Sequence, residues 1–312
     1  MLVHRPRSIA WLAALLALLP TSLSAQTPAK PADSTPTAAA KTVVAKPALW
    51  VVKDKDTTIY LFGTIHLLRP GINWFQGSIR KAFDSSDTLV MEVADQNDAA
   101  MQARVVQKAI DVSGPPLTQK LPEAIRPKFT QLVSDYKLPS AVVERMKPWF
   151  AAVTITSTPL ARLGYDASQG VEAQLRKYAD AAKKPVLGLE TTEEQIGYFE
   201  GLSSDQQISM LVETINEQAN VEKTLAQMID AWTAGDPLKL SDTMNKSMED
   251  DKALQQTLLF DRNERWADWI KARLDKPGTV FLAVGAGHLA GKRSVQDALK
   301  VRHIKTKLVK SL

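Results

Sequence analysis

The chain has 312 residues, 45% of them hydrophobic and 23% charged, the balance of a soluble globular protein. A formal net charge of only +5, with basic residues that form no stripe, excludes nucleic acid as a partner. The absence of cysteine rules out disulfide scaffolds, thiolate catalysis and cysteine-held zinc, so any metal must be held by His, Asp or Glu.

Arg5 and Arg7 lead an apolar run from Ile9 to Leu19, and small residues surround a cut after Ala25, which predicts a signal peptide over 1–25. The run is short and ends at Pro20, so no transmembrane anchor is expected once the signal is removed. The product is expected to be exported, periplasmic or secreted. Residues 26–47 are mostly Pro, Ala, Thr and Lys and are expected to form a disordered tether. The folded domain is expected over 48–312.

Its first segment, "LWVVKDKDTTIYLF", predicts a hairpin: Leu49 to Lys53, a polar turn at Asp54 to Asp56, then Thr57 to Phe62. A short helix from Ser78 to Phe83 and a strand from Thr88 to Val93 follow. The long stretch from Asp98 to Leu163 reads as helical, interrupted at Pro115, Pro116, Pro139 and Pro148. A helix from Gly170 to Ala182 then feeds a strand from Pro185 to Leu189, a crossover suited to parallel pairing. From Ser204 to Ala234 apolar residues recur every three or four positions, predicting one long amphipathic helix with gaps around Glu222. A second such helix from Lys252 to Leu274 leads into the strand Thr279 to Val284, a helix at Val295 to Val301 and a last strand at Lys305 to Val309. Strands thus stand at both ends of the domain, with 97–184 and 191–275 mainly helical. The expected fold class is α/β (α+β): a small mixed β-sheet with a large helical insertion forming a cap, in a single domain.

Two of the four histidines stand in matched contexts, each as Gly-x-x-His after an apolar strand: Gly63 with His66 in "IYLFGTIHL", and Gly285 with His288 in "TVFLAVGAGHL". Two further strands carry Glu92, inside "LVMEV", and Glu190, at the end of "VLGLE". In an open α/β sheet the carboxyl ends of the strands form the ligand crevice, so these four side chains are expected to converge there. Glu194 has a separate structural role, since Thr191 and Glu194 fit a capping box. Arg262 falls in the apolar stripe Leu254, Leu258, Trp266, Ile270 of its helix, where a guanidinium must meet a carboxylate or a ligand unless it snorkels to water. Gly285, Gly287 and Gly291 could bring backbone N–H groups close to an anion. No Walker loop, dinucleotide fingerprint, G-x-S-x-G elbow or H-E-x-x-H helix is present.

The motifs "YLFGTIHLL", "LVMEVAD", "LGLETTEEQ", "DRNERWADWI" and "VGAGHLAGKRSVQDALK" together resemble those of the TraB/GumN family, which includes the TIKI proteins and is related to the erythromycin esterase and ChaN-like fold. The resemblance runs from about Leu49 to Val309. It implies an exported hydrolase, metal-dependent and peptidase-like, with catalytic roles on His66, His288, Glu190, Glu92 and Arg262. By the same resemblance His66, His288, Glu92 and Glu190 hold a divalent metal, and Gly63, Gly285 and Asn263 complete the cofactor site. Two His and one or two Glu suit Zn, Mn or Co with an open position for water. A metal-free variant, with one His as general base and Glu as its orienter, uses the same residues. From a different class stands a non-catalytic binding or regulatory protein that holds a ligand such as haem, with Tyr60 or Tyr165 as an axial group. The substrate, peptide or small molecule, and the oligomeric state are not specified by these motifs.

Overall fold

The computed structural model describes residues 42–94, 99–245 and 252–310. The expected signal peptide and the tether as far as residue 41 lie outside the described residues. The remainder of the expected tether is not free: strand β1 (Val43–Val44) pairs in parallel with β4 (Ile72–Asn73), and Ala45 and Pro47 are buried. This segment joins the domain through its backbone, the amides of Val43 and Ala45 donating to the carbonyls of Gly71 and Asn73 at 2.9 Å each, while the side chains of Val43 and Val44 stay exposed.

The first hairpin forms as its turn chemistry dictates. Strands β2 (Leu49–Lys53) and β3 (Thr57–Thr64) run antiparallel, and the Asp54 carboxylate accepts from the amides of Asp56 and Thr57 at 3.1 and 2.8 Å. With β5 (Thr88–Val93), β6 (Val186–Glu190), β7 (Gly278–Gly285) and β8 (Lys307–Leu308) they build one six-stranded mixed sheet in the order β6-β5-β7-β3-β2-β8. The four strands β6, β5, β7 and β3 are mutually parallel, so their carboxyl ends share one edge.

Side chains alternate across that sheet with the period of two a strand requires. Ile59, Leu61, Val90, Val280, Leu282 and Val284 face one way, onto Trp266, Ile270, Val295 and Leu299 of two C-terminal helices. Phe62, Leu89, Met91, Phe281 and Ala283 face the other way, into the larger core built by the inserted helices. Both faces are covered, which is why the strands read as nearly continuous apolar runs.

Two helices differ from their expected form. The run from Ser204 to Ala234 is two helices, Ser204–Glu217 and Val221–Thr233, separated by a tight turn at Gln218–Asn220 where the apolar stripe lapses into Glu217, Gln218, Asn220, Glu222 and Lys223. The run from Lys252 widens into a π-helical turn at Gln256–Phe260 before continuing as Asp261–Arg273. That wide turn stands directly before Arg262, and π-bulges of this kind recur at functional sites. The capping box at Thr191 and Glu194 is formed as expected, and it starts a helix, Thr192–Glu200, at the end of β6.

Candidate active site

The parallel register gathers the four expected side chains at one sheet edge. Thr64 is paired with Gly285 and Val93 with Glu190, so His66, Glu92, Glu190 and His288 all emerge at the carboxyl ends of adjacent strands. A Cβ built on Gly285 would lie 3.1 Å from Glu92 Oε1, 3.6 Å from His288 Cδ2 and 3.9 Å from His66 Nε2. Three of the four side chains therefore surround one point above Gly285, and only a residue without a side chain leaves that point open.

Arg262 forms the floor. Its Nε donates to both oxygens of Glu190 at 3.0 and 3.1 Å, and its second terminal nitrogen donates to Glu92 at 2.8 Å and Glu190 at 2.9 Å. The first terminal nitrogen donates to the Leu258 carbonyl at 3.1 Å and to His288 Nε2 at 3.1 Å. All five N–H groups of the guanidinium are thus committed to the protein. Arg262 lies in its helix's apolar stripe because two buried carboxylates compensate it, and the snorkelling alternative does not apply. Burial favours neutral Glu92, but the Arg262 charge outweighs it and holds the Glu92 pKa down to about 2. Conversely, burial disfavours charge on Arg262, and the two carboxylates more than reverse that.

Three residues that the sequence reading missed complete the carboxylate cluster. Gln195 donates to Glu92 at 3.2 Å and to Glu190 at 3.4 Å, while the Tyr198 hydroxyl and the Trp266 indole N–H each donate to Glu190 at 3.2 Å. Burial, and then the Glu190 charge, push the Tyr198 pKa up to about 12, so the phenol stays a donor. Glu92 accepts in addition from the Gly285 amide at 2.5 Å.

The histidines, equivalent in sequence, are unequal in surroundings. His288 Nδ1 meets Asn263 Oδ1 at 2.7 Å and its Nε2 faces the Arg262 guanidinium. A ring nitrogen 3.1 Å from a guanidinium accepts from it, so His288 is neutral with its proton on Nδ1. Burial, and then Arg262, lower its pKa to about 3. His66 instead has a carboxylate at Nδ1: Glu172 Oε1 is 2.8 Å away. Burial works against a charged His66, but Glu172 outweighs it and the pKa is raised above 6.5. Glu172 is a fourth residue missed from sequence. Its signal was available, since Val171, Glu172, Leu175 and Ala179 are the buried positions of one helix.

The glycines and Asn263, expected to serve a cofactor, hold protein groups. The Gly63 carbonyl accepts from the Trp232 indole at 2.8 Å, and a Cβ at Gly63 would press on Ala286 at 3.0 Å. Asn263 links His288 to the Arg293 carbonyl, to which its amide donates at 2.8 Å. Above them the crevice is walled by Ile65, Leu67, Leu225, Met244 and Leu259, with His66, Gly285 and His288 at its base. Neither Tyr60 nor Tyr165 lines it, so the expected haem ligands are not placed there.

The chain belongs to the TraB/PrgY/gumN family, whose model matches residues 48–307. It is 25% identical to the uncharacterized protein YbaP of Escherichia coli K12 over 255 residues, covering 81% of this chain and 92% of that one. Similar too are an uncharacterized protein of Treponema pallidum, 21% identical over 82% of this chain and 80% of its own length, and the metalloprotease TIKI2 of Danio rerio, 24% identical over 81% of this chain and 59% of its own. No solved structure matches the chain. The metalloprotease relatives imply a metal, but the residues as arranged do not fit one. Glu190 is closed by Arg262, Trp266, Tyr198 and Gln195, and His288 Nε2 is turned onto a guanidinium. Among the described residues no group of three or more His, Asp or Glu side chains is placed to hold an ion. The four-ligand set expected from sequence is therefore not assembled in this arrangement: Arg262 supplies the positive charge at its centre.

Proposed function

We propose that the protein is an exported hydrolase that splits an acyl bond, amide or ester, next to an apolar group. The observation that carries this reading is the asymmetry of the two histidines at the crevice base: among the described residues no hydrogen bond reaches His66 Nε2, which lies 3.9 Å from where a Cβ on Gly285 would stand, whereas His288 is held neutral. In the reaction one O–H bond of a water breaks, its proton goes to His66 Nε2, and the oxygen bonds to the acyl carbon. The C–N or C–O bond then breaks and the same proton passes to the departing nitrogen or oxygen, leaving an acid and an amine or alcohol. The apolar walls exclude competing water and select an apolar side chain beside the bond. Export is supported by the basic, apolar and small-residue pattern of positions 5–25. Among the described residues no helix is long and apolar enough to cross a membrane.

The test is hydrolysis of blocked apolar-residue p-nitroanilides and esters by purified protein, with and without chelator. Turnover that survives chelation and disappears in His66→Ala is expected. Turnover restored only by added Zn, Mn or Co would replace this reading by a metal-dependent one, as the names of the TIKI relatives suggest.

A further inference from the structure

Outside the arginine cluster the described residues of the site hold one other buried carboxylate, Glu172, and its position is rigidly fixed. It lies in the first turn of the helix Val171–Ala181 and is 9% exposed. The start of that helix is locked to the loop bearing His66: the Val171 amide donates to the Ile65 carbonyl at 3.0 Å, and a Cβ on Gly170 would stand 2.1 Å from the His66 carbonyl oxygen. Only glycine allows so close an approach. One loop further on, the Asp166 amide donates to the Leu68 carbonyl at 3.1 Å. The backbone segments that carry Glu172 and His66 are therefore tied directly to each other.

The 2.8 Å separation of His66 Nδ1 and Glu172 Oε1 is a close ion-pair contact rather than an aligned hydrogen bond, and among the described residues no other donor satisfies either Glu172 oxygen. A buried carboxylate left with a single neighbour is costly, and such geometry in a ligand-free site commonly tightens when substrate binds. The helix N-terminus adds to the stabilisation of the negative charge. His288 has a neutral amide, Asn263, in the corresponding place, and its Nε2 is already occupied by Arg262. A carboxylate at Nδ1 stabilises the imidazolium that forms when Nε2 takes a proton, whereas an amide only orients the ring.

We infer that Glu172 is the positioning residue of the site: it accepts the Nδ1–H of His66, fixes that tautomer, and turns the Nε2 lone pair into the crevice, so that His66 and not His288 takes the proton of the attacking water. The assignment of the proton rests on the hydrolase reading above, but the tautomer does not.

The experiment is ring ¹⁵N NMR of wild type and Glu172→Gln at a pH where both rings are neutral, with kcat and KM measured on a blocked leucine p-nitroanilide. Wild-type His66 is expected as the Nδ1–H tautomer. In Glu172→Gln the side-chain NH₂ can donate to Nδ1, so the Nε2–H tautomer gains population, and kcat falls by about 10²- to 10⁴-fold with KM and the melting temperature little changed. Glu172→Asp, which keeps the charge but withdraws it, is expected to hold the tautomer better than Gln and recover part of kcat. A wild-type His66 protonated on Nε2 overturns the inference, and that spectrum decides the matter even if the Gln form does not fold. An unchanged tautomer and kcat in Glu172→Gln, or a loss of kcat matched by a loss of stability in all variants, also overturns it. Wild type that cleaves nothing but shows the Nδ1–H tautomer, displaced in Gln, contradicts the hydrolase reading alone.

Discussion

The floor and the wall of the crevice each bury a carboxylate, and the two are treated in opposite ways. Glu190, on the floor, receives hydrogen bonds from Arg262, Trp266, Tyr198 and Gln195, whereas Glu172, on the wall, has only His66 among the described residues. The two histidines differ as well: His288 has both ring nitrogens engaged, whereas among the described residues no hydrogen bond reaches His66 Nε2. A saturated network resists change and contributes shape, while a group with an unused lone pair in a water-excluding crevice has chemistry left to do.

The largest effect should come from removing the centre of the saturated side. Arg262→Ala leaves Glu92 and Glu190 buried without a cation and is expected to cost about 3–5 kcal/mol in denaturant unfolding. Arg262→Lys should recover little, because an ammonium cannot supply five N–H groups in a planar fork. A Lys form as stable as wild type would show that the floor is not saturated in the way its contacts indicate.

The second effect separates the histidines by pH. The His288 pKa is depressed to about 3, so its contribution to stability is present above the unfolded value near 6.5 and is lost as pH falls from there toward 3. The raised pKa of His66 works the other way, stabilising the fold below 6.5 and losing that contribution as pH rises through the folded value. Replacing His288 by Gln should therefore flatten the fall in stability between pH 6.5 and 4, and an unchanged slope would refute the assignment. Glu92 adds a lower window: with its pKa near 2, its contribution persists above 4.5 and is lost only in stronger acid.

Smaller effects sharpen the contrast. Gly285→Ala adds a Cβ within 3.9 Å of both Glu92 and the two histidine rings, at ordinary van der Waals distance from the rings and 3.1 Å from Glu92. It should cost about 1 kcal/mol or less in stability yet abolish hydrolysis by filling the reacting point, whereas retained turnover would place the chemistry elsewhere. Trp266→Phe removes one of several donors to Glu190 and should cost about 1 kcal/mol in thermal unfolding, with activity retained.

Much of this was legible in the sequence for a physical reason. Buried parallel strands are long apolar runs, and a His or Glu at the end of such a run has only one place to go, so the convergence of His66, Glu92, Glu190 and His288 could be read from position alone. Arg262 was legible because a charge in an apolar stripe must be paired. Glu172 obeyed the same rule in its own helix, but a glutamate near a helix start is common enough to pass for a dipole-compensating residue. Gln195, Tyr198 and Trp266 carried no signal, since their contacts with Glu190 depend on how two helices, Thr192–Glu200 and Asp261–Arg273, pack against the end of β6. The inequality of the two Gly-x-x-His motifs was likewise hidden, because Glu172 and Asn263 lie on separate helices remote from the motifs they serve. The short pair β1 and β4 has two residues per strand, too few to show a period.

The most direct test of the asymmetry is an NMR titration of the two buried imidazole rings, assigned through His66→Ala and His288→Ala. The account predicts that His66 takes up its proton at or above pH 6.5 while His288 remains neutral down to about pH 3. Two rings that titrate together near 6.5, or His288 charging first, would contradict it.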